Sequence, residues 1–420
     1  MDKIKIRKGL NIHIEGEAAK QLENFEPKYC ALKPTDFIGI LPKLHVAEGD
    51  DVKIGSVLFH DKNNEKIVFT SPISGKVKAI VRGEKRAILE VIVENDGKNE
   101  AVDFSSIENP VDRMLQSGIW PMLRQRPYAT IANPNDKPKH IFVSMFDTAP
   151  LAPDYDYIIE NQSEALIAGI NVLSKLTDGN VYINVCKDVP WRVSTDAKNV
   201  TFTEFSGPHP AGNVGTQINA LSPINKGEVV WYCYAQDVIT IGKLFLTGRY
   251  DSTRIIATTG SAVKNPHYYQ TRIGADIIPI LNIDDNARII SGNVLTGTKI
   301  TDNPFLCFHD SQVMVIPEGN KYKMFGWLKP VFKRFTDTNT NGDTRPYIMT
   351  GQFEKVFPFD IYPMQLIKAC LIKDIEQMEE LGIYEVDAED FALCEVIDPS
   401  KTQIQQIIRE GLEFIRKETC

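Results

Sequence analysis

The fold of the first hundred residues is indicated by two stretches, VAEGDDVKIGSVL at residues 46–58 and SPISGKV at residues 71–77. In and around them, short apolar runs alternate with glycine, asparagine and aspartate turns, which is typical of a set of short β-strands. Gly49 and Gly55 lie on either side of a mostly polar segment, at which the chain is expected to turn tightly. The pattern predicts a β-barrel domain over residues 1–105.

The amino-acid composition limits the classes of function that the protein can have. Its 420 residues carry 47 basic and 55 acidic side chains, a net charge of −8, which argues against nucleic-acid binding. An acidic surface suits a partner with basic cytoplasmic loops, and it serves solubility equally well. We find no signal peptide at the start, and the most apolar stretch, residues 229–246, contains too many polar side chains to span a membrane. Any membrane association is therefore expected to come through a partner protein.

The seven cysteines indicate the redox compartment. They are odd in number and never closer than 24 residues apart. This spacing argues against a disulfide framework and favours a reducing compartment.

Three further regions follow the barrel along the chain. Residues 106–250 alternate predicted strands and helices, which indicates a Rossmann-like α/β domain. Residues 251–330 return to strands, and residues 331–420 are mostly helical. The predicted fold class is thus multidomain α+β and α/β, with domain boundaries near 105, 250 and 330.

Helix bounds follow from apolar spacing and capping residues. A helix is expected to begin at Ser163 as the capping residue and to end at Gly179, and a second to run over residues 236–245. Near the end of the chain, one helix is predicted over residues 367–381, before Gly382. Asp387 should cap a short helix that reaches residue 394, and a last helix should follow from residue 404.

A series of short motifs in a fixed order carries a resemblance to a known family. The motifs are IRKGL (6–10), RGEKR (82–86), SGIW (117–120), RQRP (124–127), GPHPAG (207–212), VKNP (263–266) and FGW (325–327). With them the chain resembles the A subunit of the sodium-translocating NADH:quinone oxidoreductase; the NADH-binding subunit of respiratory complex I and the C subunit of the Rnf complex are distant relatives. The resemblance implies a biotinyl/lipoyl-like barrel-sandwich, a Rossmann-like domain, a β-grasp domain of the soluble-ligand-binding (SLBB) type and a helical C-terminal domain.

The residues that bind cofactors in such relatives are missing here. Flavin phosphates need a glycine-rich loop, but the matching segment, LRQRPYAT at residues 123–130, has no glycine, and Pro127 has no N–H. An iron–sulfur cluster needs four thiolates, whereas only Cys370 and Cys394 lie in the corresponding C-terminal region. No metal-ligating constellation is evident. The expectation is a chain without a cofactor of its own.

A carrier function is the next possibility that the barrel raises. Lipoyl and biotinyl domains present one modified lysine at the tip of a hairpin, and here Lys62 and Lys66 lie in the predicted hairpin of residues 60–66. Neither has the spacing from Ser71 that such domains keep. Asn63-Asn64 is a good turn dipeptide, which favours ordinary solvated lysines.

Three residues are candidates for contact with a quinone. His209 lies in the stiff loop GPHPAGNVGT at residues 207–216, where an imidazole can donate a hydrogen bond to a quinone carbonyl or bond a backbone carbonyl instead. Asp147 follows a predicted strand, where α/β sheets bind ligands, and it can equally cap its own loop. Arg126, together with Arg124, is a candidate for binding an anion.

The resemblance implies that the chain is one subunit of a larger membrane complex. It implies a peripheral protein on the cytoplasmic face of the bacterial inner membrane, held by membrane subunits and especially by the B subunit. NADH, FAD, FMN and the 2Fe–2S centre would belong to partner subunits, and a quinone would bind at this end of the electron path. The alternatives are an assembly scaffold without a ligand, an electron-transfer subunit like Rnf C, and a biotin or lipoyl carrier protein.

Overall fold

A computed structural model of the protein describes residues 2–187, 195–283, 286–300, 304–319, 321–328, 337–348 and 351–419. The strands within these ranges are β1 (Asp2–Lys5), β2 (Ala19–Asn24), β3 (Tyr29–Leu32), β4 (Pro42–Leu44), β5 (Asp51–Val52), β6 (Val57–Asp61), β7 (Asn64–Thr70), β8 (Gly75–Arg82), β9 (Ile88–Asn95), β10 (Arg124–Arg126), β11 (Thr130–Ile131), β12 (Ile141–Ser144), β13 (Val181–Cys186), β14 (Val200–Ser206), β15 (Val230–Tyr234), β16 (Thr253–Thr259), β17 (His267–Arg272), β18 (Ala287–Ser291), β19 (Thr298–Ile300) and β20 (Gln312–Pro317). The α-helices there are α1 (Pro110–Gln116), α2 (Tyr155–Ile159), α3 (Ser163–Leu173), α4 (Val214–Leu221), α5 (Ala235–Thr247), α6 (Pro363–Ile372), α7 (Ile375–Glu380), α8 (Ala392–Ile397) and α9 (Ile404–Thr419).

Two small antiparallel sheets form the barrel-sandwich. One has the order β3-β9-β8-β5 and the other β4-β6-β7. Phe59 and Phe69 stack in the core with ring centroids 4.6 Å apart, and Phe37 packs on Phe69 with centroids 4.7 Å apart. The hairpin turn between β6 and β7 consists of Lys62 and Asn63, one residue earlier than the predicted Asn63-Asn64 turn.

The first two strands pair outside the barrel. β1 runs parallel to β14 in the α/β sheet, and β2 runs parallel to β17 in the third domain's sheet. The prediction assigned all of residues 1–105 to the barrel, because a sequence pattern shows that a strand exists but not which sheet it joins. These two strands tie the start of the chain to both of the following domains.

The Rossmann-like sheet has the order β1-β14-β13-β12-β15-β10-β11. Its first five strands are parallel, and β10 and β11 add an antiparallel edge. Ile141 and Val143 of β12 face the side covered by α3 and α5, whereas Phe142 faces α4, so the sheet is covered on both faces. α3 and α5 pack closely because Gly242 leaves no room for a Cβ, which would lie 1.7 Å from the Ala165 carbonyl oxygen.

Two helix predictions for this domain differ in their outcome. α5 spans Ala235–Thr247 and confirms the helix expected at residues 236–245. α3 begins at Ser163, but Gln162 is the capping residue and the Ser163 side chain caps nothing. The helix also ends at Leu173 rather than near Gly179, with Ser174 as the C-cap residue, whose N–H bonds the carbonyls of Ile170 and Val172.

The third sheet has the order β19-β18-β20-β16-β17-β2 and encloses its own apolar cluster. The helices after residue 351 enclose another, centred on buried side chains such as Phe353, Leu366 and Ile408. The helix predicted at residues 367–381 is in fact two, α6 and α7. They separate at Lys373, which has a left-handed backbone (φ +57°), and Asp374 caps the second helix by accepting a hydrogen bond from the Gln377 N–H.

Candidate ligand pocket

A pocket of about 330 Å³ lies where the four parts of the chain meet. It opens at the carboxyl ends of β12 and β15, which are parallel neighbours in the sheet. The carboxyl edge of the strands is where open α/β sheets bind ligands. The residues that line it come from the α/β domain (Asp147, His209, Tyr234), the β-grasp domain (Leu295, His309), the C-terminal helices (Glu389, Arg409) and the barrel (Ile38).

His209 lies in one wall of this pocket and is 4 % exposed. Its loop is held by the start of the chain, since the His209 N–H donates to Asn11 Oδ1 at 2.9 Å and its carbonyl accepts from the Leu10 N–H. The imidazole Nδ1 is 3.1 Å from Thr148 Oγ1. Burial lowers the pKa of His209 to about 4, so the ring is neutral near pH 7 and acts through one N–H donor and one acceptor nitrogen.

Asp147 lines the same pocket and also caps its own loop. Its Oδ1 accepts a hydrogen bond of 2.8 Å from the Ala149 N–H. Burial raises the pKa of the Asp147 carboxyl, and hydrogen bonds from the loop backbone oppose that rise. The structure therefore brings His209 and Asp147 together, with Thr148 between them.

Arg126 does not line the pocket. It is completely buried behind it, where Nη1 donates to Asp390 Oδ2 at 2.7 Å and Nη2 donates to Glu389 Oε1 at 2.6 Å. Burial opposes the charge of Arg126, but the nearby carboxylates raise its pKa well above the ordinary value. Arg126 thus joins the α/β sheet to the C-terminal helices, and the anions that it binds are the carboxylates of Asp390 and Glu389.

The segment of residues 123–130 is not a phosphate-binding loop. It contains β10 and the start of β11, and β10 pairs antiparallel with β15. A nucleotide phosphate needs a run of free backbone N–H groups ahead of a helix. Residues 123–130 form paired strands instead, so they do not fit a flavin phosphate.

Arg124 and His309 carry unpaired polar atoms at the pocket. The Arg124 guanidinium lies over the rings of Tyr232 and Tyr234, 4.8 and 5.2 Å from their centroids. Arg124 Nε and His309 Nδ1 are buried and have no hydrogen-bond partner among the residues that the structure describes. Burial and the charges of Arg124 and Arg254 lower the pKa of His309 well below its usual value, so this ring is also neutral. A buried polar atom without a partner costs about 1–3 kcal/mol, which a ligand that bonds it would recover.

From the sequence, Arg124 was predicted only as a residue that could bind an anion, and no role was predicted for His309, Tyr234 or Arg409. Of these four, the position of Tyr234 at the end of a parallel strand was the one available signal. His309 and Arg409 reach the pocket from other domains, and Arg124 through the pairing of β10 with β15, and no local pattern shows either.

Among the residues that the structure describes, no group of three or more histidine, cysteine or acidic side chains is placed to hold a metal ion. No helix in these ranges is both long and apolar enough to cross a bilayer. Cys370 and Cys394 are buried, and burial raises the thiol pKa of Cys370 to about 12.

Comparison with known proteins decides the family. Three family descriptions match in order: the NqrA N-terminal barrel-sandwich hybrid domain at residues 4–96, the NqrA second alpha/beta domain at 106–250, and the NQRA C-terminal domain, of SLBB type, at 255–302. The A subunit of the Na⁺-translocating NADH-quinone reductase of Vibrio atlanticus is 38 % identical over 447 residues, covering 99 % of this chain and 100 % of the relative. This chain belongs to the NqrA family. The A subunit from Photorhabdus laumondii is 37 % identical, and the one from Neisseria meningitidis serogroup B is 38 % identical. Each match covers 99 % of this chain and 100 % of the relative.

The family match confirms the fold class predicted from the sequence, a barrel-sandwich followed by an α/β domain and an SLBB domain. The predicted boundaries at 105, 250 and 330 stay predictions. Among solved structures, an NAD⁺-reducing NiFe-hydrogenase in the air-oxidised state is similar over 74 % of this chain and 61 % of the hydrogenase chain, with 13 % identity and a TM-score of 0.41.

Proposed function

We propose that this chain works as the peripheral A subunit of a sodium-translocating NADH:quinone reductase. In this role it carries no redox centre, while NADH, FAD, FMN and the 2Fe–2S cluster belong to partner subunits. It docks on the cytoplasmic face of the inner membrane through the membrane subunits, especially the B subunit. Similarity to NqrA proteins over 99 % of the chain supports this assignment.

We propose further that the pocket binds the head group of a quinone. A quinone head group is a small ring with two carbonyl acceptors, and a pocket of about 330 Å³ is at the lower end of the usual range for ligand sites. The observation that supports this most directly is the unpaired Arg124 Nε, since this buried N–H is a permanent donor. Neutral His209 supplies a second donor group without placing another charge in the pocket.

The apolar parts of the wall suit the ring itself. Ile38, Ala129 and Leu295 line the pocket beside the polar groups, and Tyr234 contributes an aromatic side chain. An apolar wall with a few convergent donors is the usual composition of a small-molecule site. Asp147 stays in its loop-capping role here, where it fixes the loop across from His209.

Quinone titration tests this proposal. A water-soluble short-chain ubiquinone is added to the full chain while tryptophan fluorescence is followed. We expect a saturable change, weakened roughly 5- to 100-fold in Arg124→Met and in His209→Ala, because each variant removes one hydrogen bond to a buried acceptor. His13→Ala is the matched control, since His13 is exposed and outside the pocket.

The same preparation separates the alternatives. A wild-type chain that shows no response to quinone would favour the assembly scaffold and would end the head-group proposal. We expect a colourless protein, and visible absorbance from a stoichiometric iron–sulfur cluster or flavin would instead indicate an Rnf C-like electron-transfer protein. Intact mass after expression with a lipoyl or biotin ligase would reveal a carrier protein by the added group on Lys62 or Lys66.

A further inference from the structure

The segment from Tyr322 to Leu328, here called the apolar loop, holds four large side chains out in the solvent. The exposed fractions are 67 % for Tyr322, 87 % for Met324, 61 % for Phe325 and 65 % for Leu328. Single exposed apolar residues are ordinary, but four exposed ones within seven consecutive residues make this stretch an apolar patch. Such a patch indicates a surface that is covered when the protein works.

The backbone of the apolar loop is pinned to a neighbouring segment. The Lys323 N–H donates to the Thr340 carbonyl at 2.9 Å, and the Lys321 N–H donates to Asn339 Oδ1 at 2.9 Å. Lys323 Nζ also pairs with Asp337 at 2.7 Å. The apolar side chains therefore project from a held backbone rather than from a free end.

Phe325 has a backbone conformation that is unfavourable for its bulky side chain. Its φ is +55°, in the left-handed region that a bulky side chain rarely adopts. Folding stability alone gives no reason for an exposed phenylalanine at such a position, because asparagine or glycine would be better there. Strained positions of this kind concentrate at binding sites.

The charge of the segment differs from that of the rest of the chain. Lys321 and Lys323 accompany the apolar side chains, and no acidic residue occurs between residues 321 and 328, although Asp337 pairs with Lys323 and offsets its charge. The next eight residues of the sequence, KPVFKRFT, add three more cations and again no acid, in a protein whose net charge is −8. Clusters of cations beside aromatic and aliphatic residues are typical of segments that lie in the headgroup region of anionic membranes.

We propose that the apolar loop inserts its side chains into the surface of an anionic lipid bilayer. Lys321 then lies near the lipid phosphates, while Met324 and Phe325 reach the boundary with the acyl chains. A bilayer suits a loop of only seven residues better than a protein partner does, since a stable protein interface needs about 800 Å² from each side. The acidic remainder of the protein would be repelled from the same surface, so the loop would set its orientation. This inference does not depend on the quinone proposal.

Vesicle co-sedimentation of the full chain tests the inference. The vesicles are phosphatidylcholine alone, or phosphatidylcholine with about one third phosphatidylglycerol as the anionic lipid. We expect binding to the anionic vesicles that weakens at high salt, because exposed charges are screened. The variant Met324→Gln with Phe325→Asn should bind roughly tenfold more weakly or worse, since each large apolar side chain contributes about that much when buried.

The variant and its control are chosen to keep the fold. Asparagine tolerates the left-handed backbone at position 325, and both side chains are solvent-exposed, so the thermal transition should not move. Leu371→Gln with Ile372→Asn removes two other apolar side chains, 50 % and 70 % exposed, and should leave vesicle binding unchanged.

Two outcomes would overturn the inference. One is that the wild-type chain fails to bind anionic vesicles, and the other is that the loop variant binds them as well as wild type does. If vesicles are not bound but the loop variant no longer copurifies with the membrane subunits, the apolar loop is a protein contact and the lipid assignment is wrong.

Discussion

Arg126 offers the sharpest test of how the C-terminal helices are held. The variant Arg126→Met keeps the length of the side chain and removes its charge and donors. Asp390 would then lose its 2.7 Å bond and Glu389 its 2.6 Å bond, in a site where Arg126 and Asp390 are both fully buried. Removing one partner of a buried ion pair costs about 3–5 kcal/mol above pH 7, where the Asp390 carboxyl, whose pKa is about 7, is ionised and its charge remains in a poorly solvating environment.

Hydrogen–deuterium exchange with mass spectrometry can locate that loss. Every 1.4 kcal/mol is about a factor of ten in an opening equilibrium, so we expect protected amides of α8 and α9 to exchange roughly 100- to 1,000-fold faster. A global unfolding curve would be less informative, since a chain of several domains need not unfold in one step. Amides of the barrel strands should change little.

Two further variants complete this test. Lys137→Met removes the cation of an exposed pair with Asp178, in which the side chains are 77 % and 84 % exposed, and should have almost no effect. Adding Asp390→Asn to Arg126→Met should recover part of the loss, since the most buried unpaired carboxylate disappears. If Arg126→Met changes exchange no more than Lys137→Met does, the buried pair does not hold the helices.

Three further predictions concern buried groups near the domain contacts. Burial raises the pKa of Asp390 from 3.8 to about 7, so the folded state retains a proton that the unfolded state gives up. The stability of the folded state should therefore fall as pH rises from about 4 to 7. Thermal melts of Asp390→Asn should lack that part of the decline. Gly215→Ala would place a Cβ 2.3 Å from Asp390 Oδ1 and should lower stability by about 1–3 kcal/mol, and an unchanged melting temperature would contradict the packing described. Arg254→Met breaks a buried pair with Asp237 of 3.0 Å and should cost about 3–5 kcal/mol in denaturant unfolding, with partial recovery when Asp237→Asn is added.

Local patterns predicted the elements that depend on local physics. Alternating strands and helices gave the α/β domain, and Asp387 caps the short helical turn that leads into α8, as its position suggested. The break between α6 and α7 was missed, although Asp374 ahead of Ile375 is a good capping residue. The unbroken apolar spacing from residue 367 to 381 outweighed that signal, because apolar spacing is insensitive to a single left-handed residue such as Lys373.

Long-range contacts set the limit of the prediction. Arg126 and Asp390 are 264 positions apart in the chain, so no sequence pattern links them. The pocket was predictable only as a location, the carboxyl edge of a parallel sheet after Asp147. Its chemistry depends on His309 and Arg409, which other domains bring to that edge.

The ion pairs of Arg126 and the wall of the pocket share residues, and this couples domain docking to ligand binding. Glu389 accepts a hydrogen bond from Arg126 and also lines the pocket. Asp387 and Arg409, which bond each other, line the pocket as well. Arg126→Met should therefore weaken quinone binding even though Arg126 does not touch the pocket, because the apparent affinity scales with the fraction of molecules in which the C-terminal wall is closed. The loss should match the open fraction of α9 that exchange gives and should be small while most molecules are closed, whereas Arg124→Met should weaken binding without changing exchange. Unchanged quinone affinity in Arg126→Met, alongside exchange that shows α9 open in most molecules, would show that the C-terminal wall contributes nothing to the site.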